Sequence, residues 1–315
     1  MHDSRPRRSV LFMPGANARA LSKARTLAAD SLIFDLEDAV APAAKQLARE
    51  QVIQALRAGG YQPREVMVRI NALDTPWGEA DAQALMGEAG RGTLTGLVLP
   101  KVENPAQLHE LSQIVRGTHG RDGAGNGAPL AMWVMIESPE GVALVDDIAR
   151  TCAELWPTAG ALVMGTNDLA KALKLPHDPQ RNGMLTALSL CVLAARRYGL
   201  DVLDGVYANL SDAEGLARQC LQGRSLGFDG KTLIHPNQID ASNRLFAPDP
   251  ADLAHARRVV EAWRAAQSGG DDNHRGVVVV DGAMVEGLHV EQASALLAKA
   301  EAIEARTRAA HEPTP

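Results

Sequence analysis

Short apolar runs rich in Val, Ile and Leu recur along the chain and alternate with longer stretches rich in Ala, Leu and Arg. The runs are Ser9–Gly15, Ser31–Asp38, Glu65–Asn71, Gly96–Val102, Ala131–Ser138, Gly160–Asp168, Asp201–Tyr207 and Phe228–Pro236. Runs of this length, bounded by Gly, Pro, Asn or Asp, predict buried strands. The stretches between them predict helices, most clearly at Arg19–Ala29, Ala43–Ala58, Pro139–Ala153, Met184–Tyr198 and Ser211–Leu226. Eight such units within about 240 residues predict a (β/α)8 TIM barrel over residues 1–247, in preference to a doubly wound open sheet. The Gly-rich stretch Gly117–Pro129 reads as a surface loop on the barrel face opposite the strand tips. Beyond Pro236 the alternation stops. A helix at Asp252–Gln267, a polar linker at Ser268–Arg275, an apolar run at Gly276–Val280 and a last helix at Val290–Arg308 make residues 248–315 a C-terminal helical extension. So small a segment is expected to pack on the barrel or on a neighbouring subunit.

Composition narrows the class. Of 315 residues, 46% are hydrophobic and 22% charged, as in an ordinary globular protein. Only 3% are aromatic, which leaves Ala, Leu and Val to fill the core. A net charge of -6 argues against a nucleic-acid surface, while leaving room for a local basic pocket. No apolar stretch has the length of a membrane span, and the polar start followed by a brief apolar run is unlike a signal peptide. Cys152, Cys191 and Cys220 lack metal-type spacing and are odd in number, which fits reduced core thiols in a cytoplasmic protein.

The unusual polar residues collect at the C-terminal ends of the predicted strands, where barrel enzymes place their chemistry. These are Asp35, Glu37 and Asp38; Arg69 and Asn71; Lys101 and Glu103; Glu137; Asn167 and Asp168; and Lys231 and His235. Glu137 and Asp168 end adjacent strands. Two carboxylates with positions left for water and substrate oxygens suit Mg²⁺, yet each would equally serve as a helix cap or a structural ion-pair partner. Arg69, a cation in an apolar strand, has the fork to grip a carboxylate, and it would equally pair with Asp35, Glu37 or Asp38. Met13-Pro14-Gly15 with Arg19 and Lys23 beyond it reads as a turn with a solvated basic face, or as a phosphate contact at a helix start.

Taken together these residues form an ordered set. Arg8-Ser9-Val10-Leu11-Phe12-Met13-Pro14-Gly15, Asp35-Leu36-Glu37-Asp38-Ala39-Val40, Arg69-Ile70-Asn71 and Leu99-Pro100-Lys101-Val102-Glu103 come first. Glu137-Ser138-Pro139, Gly165-Thr166-Asn167-Asp168-Leu169 and Gly227-Phe228-Asp229-Gly230-Lys231-Thr232-Leu233-Ile234-His235-Pro236 follow. The set resembles the citrate lyase beta subunit family of the HpcH/HpaI aldolase superfamily, which includes malyl-CoA and citramalyl-CoA lyases. The likeness runs from about Arg8 to Leu297. It implies a barrel enzyme that breaks a carbon–carbon bond in a CoA thioester, with Mg²⁺ (or Mn²⁺ in its place) held by Glu137 and Asp168. It implies that Arg69 holds the carboxylate of the 2-oxo-acid part and that Arg19 and Lys23 lie near the CoA phosphates. Val280-Asp281-Gly282-Ala283-Met284-Val285 resembles the family's C-terminal Asp-Gly-Lys-Met segment, with Ala283 where Lys is common. There Asp281 would reach a neighbouring subunit's site and handle the proton on the acyl carbon, so a homo-oligomer, trimer or hexamer, is expected. From the residues alone Asp281-Gly282 is an ordinary turn.

The reaction so implied is a reversible Claisen-type cleavage of malyl-, citramalyl- or citryl-CoA into an acyl-CoA and a 2-oxo acid. Candidates to take the hydroxyl proton are Asp38 and a metal-bound water. Two rivals share the site: a malyl-CoA-type thioesterase, and a citryl-thioester lyase subunit whose substrate rides on an acyl-carrier protein. A catalytically silent barrel is the third reading.

Overall fold

The computed structural model describes residues 5–89, 92–119, 130–157, 160–268 and 276–311. All eight apolar runs form strands: β1 (Ser9–Pro14), β2 (Ser31–Asp35), β3 (Glu65–Arg69), β4 (Gly96–Leu99), β5 (Ala131–Ile136), β6 (Ala161–Met164), β7 (Asp201–Asp204) and β8 (Gly230–Leu233). Each pairs in parallel with the next, and β8 returns to β1 (Val10 opposite Thr232), so the sheet closes into a barrel. Parallel strands covered by helices are buried on both faces, which is why they read as continuous apolar runs. Every strand ends short of its predicted run, because the polar tips leave the ladder and become the loops that enter the following helices.

Two cores result. Inward-facing Val10, Ile33, Met67, Val98, Trp133 and Val163 fill the barrel. Their neighbours on the outer face pack under helices such as α2 (Lys45–Ala58), whose Ala48, Val52 and Leu56 recur every fourth residue and are buried. The N-terminal end of the barrel is closed by charge. Arg7 bonds Glu65 at 2.8 Å, pairs with Asp201 and lies 5.3 Å from the centre of the Trp133 ring.

The helices depart from expectation in detail. Arg19–Ala29 is a shorter helix, α1 (Ala18–Lys23), followed by a 3-10 turn. Two further helices, α3 (Gly78–Ala89) and α4 (Pro105–His119), precede β4 and β5. Pro139–Ala153 splits into α5 (Pro139–Ala143) and α6 (Val145–Leu155), because Leu144 at φ -106° and ψ 14° leaves the helical region. The segment α7 (Thr166–Ala172) turns directly off the tip of β6; α8 (Leu185–Arg197), α9 (Ala213–Leu226) and α10 (Ile239–Leu245) complete the layer. Most of the predicted Gly117–Pro129 loop, and the Ser268–Arg275 linker beyond Ser268, lie outside the described residues.

The chain divides into two compact units, Arg7–Phe246 and a smaller one from Ala247 onward. The second holds α11 (Pro250–Ser268), a hairpin of β9 (Val277–Val280) and β10 (Ala283–Glu286), and α12 (Gly287–His311). It has its own small core, with Val259, Val280, Val285 and Ala293 buried. The apolar run at Gly276–Val280 is thus one arm of an antiparallel pair, Ala283 opposite Val280, turned by Asp281 and Gly282. Both turn residues have positive φ, 53° and 79°, the backbone that two-residue hairpins need and that Asp-Gly supplies. Among the described residues no helix is long and apolar enough to cross a membrane.

Candidate active site

At the C-terminal mouth of the barrel lies a cavity of about 430 Å³ lined by, among others, Asp35, Asp38, Arg69, Glu137 and Asp168. The closed sheet explains the convergence. Residues scattered over more than a hundred positions of sequence become neighbours because each sits at, or within four residues beyond, the C-terminal end of its own strand.

Arg69 is the hub. The register of β2 against β3 sets Asp35 directly opposite Arg69, and the guanidinium grips that carboxylate with both arms, Nε to Oδ1 and Nη2 to Oδ2, each at 2.7 Å. The remaining nitrogen, Nη1, lies 3.0 Å from Glu37 and 3.3 Å from Asp38, while the Phe12 ring packs 4.9 Å away. Burial alone would lower the Arg69 pKa, but Asp35 first, with Glu37 and Asp38 behind it, outweighs burial and raises it. The cation is therefore permanent. Arg69 is thus structurally paired, and it also lines the cavity.

The acidic trio divides its labour. Asp35, 1% exposed, locks Arg69 and accepts the backbone N–H groups of Glu37 and Ala39. Glu37 is buried and bonds Lys101 Nζ at 2.6 Å; burial is the main cause that raises its pKa. Asp38 is half-exposed at the rim. Its partial burial raises its pKa, but the hydrogen bond shared with Glu37 and the charges of Arg69 and Lys101 together bring it below the usual value. Asp38 is thus the one carboxylate of the trio that reaches the exposed rim of the cavity.

Glu137 leaves the end of β5 and is 4% exposed. Its Oε1 accepts the backbone N–H of Lys101 at 2.6 Å, a bond aimed by the left-handed backbone of Lys101, φ 53°. Burial, with smaller contributions from Glu37 and Asp168, pushes the Glu137 pKa up to about 7. Asp168 stands in the first turn of α7, beside Glu137 across the β5–β6 tips. Gly165 makes the approach feasible: a Cβ there would lie 2.3 Å from Glu137 Cβ and 2.5 Å from Oε2. Among the described residues, no three His, Cys, Asp or Glu side chains gather in ligand geometry; what the cavity offers is the carboxylates of Glu137 and Asp168. All-oxygen donors that are too few to close a shell fit Mg²⁺, which retains water or substrate oxygens. A buried carboxylate with a raised pKa beside two others is also a site that a cation would relieve.

The other candidates are placed as follows. Arg19 and Lys23 lie on the exposed face of α1, one turn apart, after the β1 junction. They do not line the cavity. Asp281 belongs to the second unit, whereas the cavity is lined by residues of the first. Some strand-tip polar residues prove structural. Asn71 bonds Asp81 at 2.6 Å, Lys231 is fully buried against Asp204 at 2.9 Å, and His235 caps the turn at Pro236–Gln238. The cysteines are buried, and burial pushes the Cys152 and Cys191 thiols up to about 12 and raises that of Cys220, away from the reactive thiolate. Lys101 has no evident task in the sequence; its positive φ and its bonds to Glu137 and Glu37 become visible only with the fold.

The profile of the HpcH/HpaI aldolase/citrate lyase family matches residues 8–236. A (3S)-malyl-CoA thioesterase of Cereibacter sphaeroides is 43% identical over 304 residues, 96% of this chain and 98% of that protein. The citrate lyase subunit beta of Escherichia coli is 36% identical over 298 residues, covering 95% and 94% respectively. The crystal structure of CitE from Mycobacterium tuberculosis in complex with magnesium, acetoacetate and coenzyme A superposes with a TM-score of 0.71 at 29% identity, over 96% of this chain and all of that one. The chain belongs to the HpcH/HpaI aldolase/citrate lyase family.

Proposed function

We propose that this protein is a Mg²⁺-dependent carbon–carbon lyase acting on a 3-hydroxyacyl-CoA that carries a carboxylate, of the malyl-, citramalyl- or citryl-CoA type. The observation that carries this reading is the meeting of the Arg69 guanidinium with the Glu137–Asp168 carboxylate pair in one cavity at the barrel mouth. Glu137 and Asp168 would hold the ion, and a bound Mg²⁺ supplies Lewis-acid polarisation of the substrate's oxygens. Arg69, kept in place by Asp35, neutralises and orients the substrate carboxylate through Nη1, the nitrogen with the more replaceable partners. Asp38, ionised at the rim, takes the hydroxyl proton. The bond between the hydroxyl-bearing carbon and the thioester α-carbon then breaks, leaving a 2-oxo acid and a thioester enolate. Asp281 of a neighbouring subunit returns a proton to that carbon. In this reading residues 248–315 serve as a lid that completes the neighbour's site.

A second reading, hydrolysis of the thioester, is favoured by the 43% identity to relatives named (3S)-malyl-CoA thioesterase. It uses the same residues with water as the second reactant. A turnover panel of malyl-, citramalyl- and citryl-CoA with Mg²⁺ separates the two. A 2-oxo acid with an acyl-CoA supports the lyase; free CoA with the intact hydroxy-diacid replaces it by the thioesterase; no turnover of any member overturns both.

A further inference from the structure

Asp281 is anchored in an asymmetric way. Its Oδ2 is 2.9 Å from His255 Nδ1, 3.1 Å from Arg258 Nε and 2.7 Å from Arg258 Nη2. His255 and Arg258 stand three residues apart on α11, one turn along the same face, and so present their N–H groups to the hairpin turn together. All three contacts fall on one oxygen. The other, Oδ1, has no hydrogen-bond partner among the described residues. The strained positive φ of Asp281 fixes the backbone from which the side chain reaches α11, so plane and direction of the carboxylate are set from both ends.

We propose that His255 and Arg258 are positioning residues that saturate Oδ2 of Asp281 and leave Oδ1 as the one oxygen that exchanges a proton with the substrate. The inference rests on the reading of Asp281 as the proton carrier and adds the device that orients it. Donors converging on an oxygen favour the charged carboxylate, and the Arg258 and His255 hydrogen bonds hold Asp281 below the usual carboxylate range. Asp281 therefore rests as a base. Towards condensation, the α-carbon–hydrogen bond of the acyl thioester breaks, the proton passes to Oδ1 and the electron pair remains on carbon as the enolate. Cleavage runs the same transfer backward: Oδ1 of the half-exposed Asp281 first takes a proton from solvent and then passes it to the enolate carbon. The charged groups facing Asp281 from α11 are His255 and Arg258. Glu286 stands at the far end of the hairpin, opposite Val277, and its N–H donates to His289 at the start of α12.

The three side chains are each about half exposed, and an exposed ion pair contributes little to stability. Variants at 255 and 258 should therefore keep the wild-type melting temperature. Turnover of the Mg²⁺-loaded full-length protein in the condensation direction, from acyl-CoA and 2-oxo acid, where Asp281 acts as the base, is compared for wild type, His255→Ala, Arg258→Ala, His255→Asn, Arg258→Lys and Asp281→Asn. The alanine variants are expected to lose about tenfold in kcat at little cost in KM, with the acid limb of the pH profile moved up by about one unit. His255→Asn and Arg258→Lys, which retain a donor, should recover part of the loss. An inactive Asp281→Asn beside alanine variants of unchanged kcat and pH limb overturns the positioning role and leaves the function standing. A fully active Asp281→Asn overturns the reading beneath it and the inference together. Carbon-13 titration of the Asp281 carboxyl, assigned by its loss in Asp281→Asn, needs no turnover. An upward shift in His255→Ala or Arg258→Ala supports the anchoring, and an unmoved titration sinks it.

Discussion

Glu137 carries a conflict that the rest of the site is built around. A carboxylate buried to this degree, with Glu37 and Asp168 near it, holds its proton up to about pH 7, although Lys101 donates to it and Arg69 is close. A cation binds the ionised form alone, so protons and Mg²⁺ compete for the same oxygens. Between the ordinary carboxylate value and pH 7 the folded, metal-free protein holds a proton on Glu137 that the unfolded chain has lost. Stability without metal therefore falls as pH rises through that window, and added Mg²⁺ restores it by binding the native state. Apparent Mg²⁺ affinity moves the other way. It should be about tenfold weaker at pH 6 than at pH 8, with the affinity levelling off above, as a single site titrating near 7 requires. Calorimetric titration at the two pH values measures this directly. Equal affinities would remove Glu137 from the ligand set, and Glu137→Gln should show weak binding with no slope.

The strand tips, rather than the strands, decide what the barrel does. The tip of β5 delivers Glu137 and that of β6 delivers Asp168, and the two meet because the residue between them, Gly165, has no side chain. A methyl there would press on the Glu137 Cβ, which its own backbone holds in place, and on its Oε2. Gly165→Ala is expected to fold, to melt lower by the amount typical of an overpacked site, about 1–3 kcal/mol, and to lose more than tenfold in Mg²⁺ affinity through displacement of Glu137. Thermal melts with and without Mg²⁺ report both, and wild-type metal binding in that variant would show that the contact yields harmlessly. The same tips show how far a sequence can be read. Doubly buried parallel strands announce themselves as apolar runs, so the eight strands and the closed architecture were legible. So was the gathering of Arg69, Glu137 and Asp168 at strand ends. What stayed hidden depends on register. A pair between Arg69 and one of Asp35, Glu37 and Asp38 was already an open reading, but that Asp35 takes both arms follows from how β2 slides against β3. Lys101 becomes a donor to Glu137 through a left-handed backbone that its residue type does not advertise. The arm β10 was missed because Ala283–Glu286 is only four residues long and mostly exposed. Yet the Asp-Gly pair before it was the available signal, since it marks a two-residue hairpin.

At the scale of the whole chain the proposed chemistry is split. The metal pair, Arg69 and Asp38 belong to the barrel unit, and Asp281 with its anchors His255 and Arg258 belongs to the C-terminal unit. A reaction that needs both must join them within one chain or across two, and the two cases behave differently in mixtures. Arg69→Ala disables the carboxylate-binding half and leaves Asp281 intact; Asp281→Asn does the reverse. Each alone should be inactive, with the oligomer otherwise formed. Co-expressed with different tags and purified as mixed oligomers, they regain sites in which a wild-type barrel meets a wild-type Asp281 from its neighbour. Random assembly with every site shared between subunits gives about a quarter of the wild-type rate per site. Completion within one chain gives none, because every chain in the mixture carries one defect. Light scattering on the same samples counts the subunits and shows whether trimers or hexamers carry the recovered activity. Mixed oligomers without turnover would confine Asp281 to its own chain and end the proposal of a lid that serves the neighbour, while leaving the barrel site and its metal chemistry to be judged on the Glu137 titration.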